Sequence, residues 1–217
     1  PTLNEAAVIG ERLDQIATSD LVAEIIVVDG GSIDGTVACA ERPGVRTIIG
    51  PVGRGVQLAA GAKVATGSWL LFMHADTKLG PGWATVIKRF IKKSENRFRA
   101  GYFRFVVDDS VPAARFLEKM VEWRCRVFNL PYGDQGLLIS AEFYERLGGF
   151  PSIPLMEDVA LIRAIPRHRL EELSCIAITS AKRYQRDGYV VRCGKNVFFL
   201  FLYLIGLPAS FIAKLYN

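Results

Sequence analysis

The sequence predicts an α/β protein with a mostly parallel sheet flanked by helices. Three observations carry that prediction. Apolar runs of strand length alternate with helical periodicity through the first half of the chain; two of those runs, residues 25 to 29 and 69 to 76, end abruptly in acids; and after Pro81 the residues Trp83, Val86, Ile87, Phe90 and Ile91 fall on one helical stripe. The run Trp69 to Met73 is apolar at every position, which suits a strand covered on both faces.

Taken in order, Pro1 and Thr2 read as the end of a strand, and Asn4 as the N-cap of a helix carrying Val8, Ile9, Leu13 and Ile16. Ile25 to Asp29 is a strand whose carboxyl end leads through a turn, Gly30 to Thr36, into a second helix. Thr47 to Ile49 is a short strand, followed by a loop at Gly50 to Gly55 and a helix from Val56 to Ala65. Pro81 suits a first helical position. Tyr102 to Val107 reads as a strand, and Pro112 to Phe128 as a helix with Phe116, Leu117, Met120, Val127 and Phe128 on its buried side. Beyond a polar turn at Gly133 to Gly136, Leu137 to Ile139 is a strand. Ser140 caps a helix from Ala141 to Leu147, and Gly148 and Gly149 end it. Glu157 and Asp158 open a helix at Val159 to Ile165, where the macrodipole alone would favour acids.

Composition narrows the class. A chain of 217 residues, half of them apolar, can bury a sizeable core, and no repeat or low-complexity linker divides it. The net charge of +5 fits attraction to phosphates or anionic lipid headgroups, while the lack of a dense Lys/Arg block argues against a nucleic-acid partner. Cys39, Cys125, Cys175 and Cys193 are widely spaced without a CxxC pair, which indicates neither a structural metal nor a disulfide framework and suits a reducing cytoplasm. What precedes Pro1 stays open. Val197 to Ala213 is 17 residues without a charge, interrupted by Gly206 and Pro208. It is expected to form two short helices on a membrane surface or against another subunit, with Arg183, Arg186, Arg192, Lys195 and Lys214 available to lipid phosphates. The expected domain plan is one α/β domain over residues 1–190 and an apolar helical tail over 191–217, at the inner face of the cell membrane, with oligomeric state open.

In open α/β sheets ligands collect outside the carboxyl ends of strands, so His74 and Asp76 at the end of such a strand are a candidate cation site. With them, the segments PTLNE (1–5), IIVVDGGSIDGT (25–36), GRGVQLAAG (53–61), HADT (74–77), GDQGLLISAEFYERLGGF (133–150) and MEDVAL (156–161) resemble, in order, the motifs of family 2 glycosyltransferases. HAD in place of the usual DxD is similar to a small bacterial subgroup. The resemblance implies a GT-A (Rossmann-like) fold and inverting transfer from a nucleoside-diphosphate sugar, a UDP-sugar favoured, to an unknown acceptor.

It also implies roles. Thr2, Glu5 and Asp29 match positions near the nucleoside, with Asp34 and Arg54 supporting that pocket or the phosphates. Asp76 matches the last acid of DxD, which binds Mg²⁺ or Mn²⁺ on the diphosphate, and His74 stands where the first acid would be. Asp158 matches the catalytic base, with Glu157 positioning it or touching acceptor hydroxyls. Gly133, Asp134 and Gln135 match the acceptor and sugar pocket. Two readings of other classes remain beside this one: a nucleotidyltransferase, for which PTLNE is the wrong phosphate loop, and a catalytically silent nucleotide- or lipid-binding scaffold, for which the lost first acid speaks.

Overall fold

The computed structural model describes residues 1–216; Asn217, the last residue of the expected tail, lies outside the described residues. In the first part of the chain, helices α1 (Ala6–Ala17), α2 (Thr36–Ala40) and α3 (Arg54–Val64) alternate with strands β1 (Ile25–Asp29) and β2 (Val45–Ile49). Next come β3 (Trp69–Phe72), β4 (Thr77–Leu79), α4 (Trp83–Ile91), β5 (Ala100–Val107) and α5 (Pro112–Phe128). β6 (Leu137–Ser140), α6 (Ala141–Arg146), α7 (Glu157–Ala164) and β7 (Leu170–Thr179) follow. Three helices close the described chain: α8 (Lys182–Asp187), α9 (Tyr189–Leu204) and α10 (Ala209–Tyr216).

The α/β class holds, but the sheet is not mostly parallel. β1 and β2 form a parallel pair, and a separate five-stranded sheet runs β3-β6-β5-β7-β4, in which only β5 and β7 are parallel neighbours. The prediction assumed a helical crossover between successive strands. The chain instead passes from β3 to β4 through the short His74–Asp76 turn, and β4 and β6 both pair antiparallel to their neighbours. β4 and the ten-residue β7 had no place in the sequence reading: β4 is short, and β7 mixes exposed polar with buried apolar positions.

Helix α4 follows its sequence closely. Trp83, Ile87 and Phe90 are buried against Leu79, Phe103, Leu138 and Leu173, each such burial stabilising by about 1.5–3 kcal/mol. Helix α5 does not. It buries Ala114, Leu117, Val121 and Cys125, whereas Phe116, Met120, Val127 and Phe128, expected inside, face solvent together with Trp123. The alternative stripe wins because small Ala114 and Cys125 fit close against the sheet.

Pro1 and Thr2 do end in extended pairing. Thr2 bridges Asp29 in parallel, with its N–H donating to Val28 O at 2.9 Å and its carbonyl accepting from Gly30 N–H at 2.9 Å. Below that bridge a cavity of about 390 Å³, lined by Val27, Leu58, Trp69 and Leu71 among others, lies between β1 and β3. The buried amide of Gln57, on α3, also lines it and donates to Thr2 O at 2.8 Å and Val28 O at 2.9 Å.

Candidate functional site

The carboxyl end of β1 delivers Asp29 into a tight loop. One of its oxygens accepts from the N–H groups of Gly31 (2.9 Å) and Ser32 (2.7 Å), and the other from the hydroxyls of Thr2 (2.9 Å) and Ser32 (2.5 Å). Burial alone would raise its pKa, but the hydrogen bonds from Ser32, Thr2 and Gly31 outweigh burial and hold the carboxyl below its ordinary value. Asp34 works the same way at the surface, accepting from Ala6 N–H at the start of α1 and from Thr36 at the start of α2. Both acids therefore fix the shape of the loop.

The carboxyl end of β3 delivers His74 and Asp76 beside the 3-10 turn Gly133–Gln135 and the first turn of α7. A cavity of about 120 Å³ lies there, lined by Arg54, His74, Asp76, Asp134, Asp158 and Arg183 among others. Asp158 is placed by its helix: Met156 adopts a left-handed conformation (φ 66°) that turns the chain into α7, and Asp158 Oδ2 accepts from Gly133 N–H at 2.8 Å. Its other oxygen accepts from Val159 N–H at 2.8 Å.

Asp134 is the most perturbed acid in the site. Burial first, then the neighbouring charges of Asp158 and Asp76, raise its pKa to about 6 against the opposing pull of Arg124. Its Oδ1 is buried and unpartnered. His74 is driven the other way, well below its ordinary value, by burial and then by the positive charges of Arg54 and Arg183, so the imidazole is neutral. It lies against the turn so closely that a Cβ at Gly133 would fall 2.6 Å from Nε2. Glu157 turns away from the cavity. It is buried against α3, 3.4 Å from Arg54 Nε, where a Cβ at Gly55 would come within 2.8 Å of its own Cβ. Burial raises its pKa despite Arg54.

Comparison with known proteins points to one family. The family described as Glycosyl transferase family 2 matches residues 1–98. That stretch is 98 of the 217 residues, and it is this part of the chain that is similar to glycosyltransferase family 2. A PGL/p-HBAD biosynthesis glycosyltransferase of Mycobacterium bovis is 44% identical over 87 residues, which are 36% of this chain and 34% of that protein. An uncharacterized glycosyltransferase of Rickettsia felis is 31% identical over 108 residues, 49% of this chain and 38% of that protein. The chain thus aligns over little more than a third of the length of these relatives. Among solved structures, S. aureus TarS in complex with UDP superposes with a TM-score of 0.63 at 20% identity, over 85% of this chain and 60% of that one. The mannosyltransferase PcManGT from Pyrobaculum calidifontis, in complex with GDP-Man and Mn²⁺, gives 0.60 at 21% identity, over 82% and 54%. That likeness shows the fold, α/β of the GT-A kind.

Arg54, His74, Asp76, Gly133, Asp134 and Asp158 all line one cavity. Thr2, Asp29 and Asp34 sit at the neighbouring loop, and Glu5 links the two, raised in pKa by burial and by Asp76 and held 3.5 Å from Arg183. Gln135 is not brought to the cavity. It is 1% exposed, with its amide donating to Phe103 O at 3.0 Å and its Oε1 accepting from Arg124, Cys125 and Tyr132. Arg183 and Arg192, expected to face lipid, line the cavity with Tyr184, Asn196 and Phe199. The sequence holds no close motif for them, and only their cationic character, set beside the diphosphate that the resemblance implies, could have pointed inward.

Proposed function

We propose that this chain transfers a sugar, with inversion, from a nucleoside-diphosphate sugar to an acceptor hydroxyl, with Asp158 as the general base. The observation that carries the reading is the placement of Asp158, held by Gly133 N–H at the start of α7 and sharing a cavity with Asp76 and three arginines. A carboxylate so placed can take the acceptor proton while the acceptor oxygen bonds to the anomeric carbon and the bond to the diphosphate breaks. Arg54 and Arg183 offer positive charge to the diphosphate, and the loop held by Asp29 and Asp34 offers the nucleoside a fixed rim. Glu157, buried beside Arg54, orients that arginine and the α7 turn.

Among the described residues no group of three or more His, Cys, Asp or Glu side chains is arranged to hold a metal. The residues fit a cation that arrives with the donor, because Mg²⁺ and Mn²⁺ sites in such enzymes take one or two carboxylates and complete their shell with phosphates. Asp76 would hold it, with the unpartnered buried Oδ1 of Asp134 close by. When bound, the cation offsets the charge that develops on the leaving diphosphate. His74, neutral and packed on Gly133, backs the turn that carries these acids. TarS binds UDP and the Pyrobaculum enzyme GDP-Man, so the donor panel must span both bases. Slow hydrolysis of one nucleotide sugar, dependent on Mn²⁺ or Mg²⁺, supports the proposal; no turnover of any UDP- or GDP-sugar, with no thermal shift from UDP or GDP, overturns it.

A further inference from the structure

The net charge of the chain is not spread over it. Residues 1–181 hold 21 Lys and Arg and 21 Asp and Glu, whereas residues 182–217 hold six basic residues and one acid, Asp187. The excess of +5 belongs entirely to the last 36 residues. That segment is also the most apolar surface described. Helix α9 packs Cys193, Phe199, Leu200 and Tyr203 toward the core, yet its opposite side is apolar as well: Val197, Phe198, Phe201, Leu204 and Ile205 are exposed. Helix α10 repeats the arrangement, with Ile212 fully buried and Phe211 and Leu215 exposed. A helix apolar on all sides ordinarily has cover on all sides.

Helix α5, which packs against α9, adds a second exposed row. Phe116, Met120, Trp123 and Val127 recur at intervals of four, three and four residues, and Phe116 is 67% exposed. Exposed apolar area on this scale exceeds what a soluble monomer usually presents.

We propose that α9 and α10, with α5 beside them, dock on an anionic bilayer surface, and that the acceptor of the transfer reaction is an amphiphile presented from it. No helix among the described residues is long and apolar enough to cross a membrane, so the geometry is that of helices lying in the interface, with their phenyl and aliphatic groups among the acyl chains and their lysines among the phosphates. Lys182, Lys195 and Lys214 are exposed on α8, α9 and α10, and the segment from Gly188 to Leu215 contains no acid. The charge pattern of α9 and α10 selects lipid over a second copy of the same helices, because their self-pairing would set lysines against lysines in a segment that holds no acid. The acceptor follows from the other side of α9. Arg192, Asn196 and Phe199 line the cavity that holds Asp158, so the helix that meets the bilayer also forms a wall of the site. This second clause rests on the proposed glycosyl transfer; the docking clause does not.

The test is co-sedimentation with phosphatidylcholine vesicles, with and without phosphatidylglycerol. Binding is expected to require the anionic lipid and to weaken with salt. The double variants Lys195→Glu with Lys214→Glu, and Phe198→Ser with Phe201→Ser, each change exposed residues only, and each should lose binding about tenfold or more while keeping the wild-type melting temperature and donor hydrolysis. Wild-type fluorescence should shift to the blue on binding, and the shift should shrink in Trp123→Phe. Binding indifferent to phosphatidylglycerol and to all four substitutions overturns the docking clause, as does a stable dimer in light scattering that the Phe198→Ser, Phe201→Ser variant dissolves. Loss of donor hydrolysis with vesicle binding intact would count against the proposed reaction instead. Equal transfer to water-soluble and detergent-solubilised lipid acceptors of the same headgroup would overturn the acceptor clause alone.

Discussion

Replacing Asp158 by Asn tests the chemistry with little disturbance to shape. The side chain keeps its size and one carbonyl oxygen, but the wild-type carboxylate accepts two hydrogen bonds through different oxygens, from Gly133 N–H and Val159 N–H, each at 2.8 Å. Asn can satisfy one and must turn an NH₂ toward the other. Hydrogen bonds to a charged group contribute roughly 1.5–3 kcal/mol each, so a loss of about that size in folding stability is expected. A loss of that size still leaves a typical domain almost wholly folded. Removal of the base should cost far more in rate: ~10²–10⁴ in kcat, or about 2.7–5.4 kcal/mol in the barrier, with donor affinity nearly unchanged. Urea unfolding, UDP titration calorimetry and initial rates on one preparation separate the three quantities. Full kcat in Asp158→Asn would refute the assignment, and a dead Glu157→Gln beside it would move the base to Glu157 despite its burial against α3.

The other predictions concern the rest of the site. Asp76→Ala should abolish the Mn²⁺-dependent part of UDP affinity and leave the melting temperature near wild type; equal Mn²⁺ enhancement in calorimetry would sink the metal role. Gln135→Ala should destabilise by roughly 2–4 kcal/mol in urea, since it removes a buried anchor and strands Tyr132 N–H and Phe103 O. Gly55→Ala should lower kcat and stability together, because the new Cβ would stand 2.8 Å from Glu157 Cβ and 3.0 Å from Pro151 O, and α3 and α7 must part; unchanged kinetics would show the contact has slack. Asp134 carries a pH signature. Its folded pKa, about 6, lies above its unfolded value near 4, so its contribution is fully present below pH 4 and is lost as pH rises through 6. In metal-free buffer Asp134→Asn should therefore gain stability relative to wild type between pH 4 and 7, by up to about 2–3 kcal/mol; a pH-independent difference would contradict it.

Much of this was legible because local chemistry and global fold agree. The strand at 25–29, the α4 stripe and Ser140, whose hydroxyl accepts from Phe143 N–H at 3.0 Å, stand where their residue types require. The motif acids at 76, 134 and 158 meet because strand ends and helix starts share one side of the sheet. The failures have physical causes. Strand direction is not written in a strand's own residues, so the mixed sheet was invisible. Asn4 was read as the cap of α1, but it takes φ 56° and accepts from Ile33 N–H, leaving Glu5 at the cap position. In α5 two apolar stripes compete, and composition cannot say which one a sheet will cover. Gln135 was expected in the pocket because the segment from Gly133 resembles a family motif, but its buried amide instead serves Phe103 O and Tyr132 N–H.

The contact between α3 and α7 has a consequence for the site as a whole. Arg54 stands 3.4 Å from Glu157, and a Cβ at Gly55 would come within 2.8 Å of the Glu157 Cβ, so a shift of the helix that carries the arginine is passed to the helix that carries Asp158. Gln15 ties α1 to β4 in the same way, donating to Leu79 O at 2.7 Å and accepting from Leu79 N–H at 3.1 Å. A donor held by the arginine would thus feel any tilt of α7, and slowed amide exchange at Val159 on adding UDP would register that coupling.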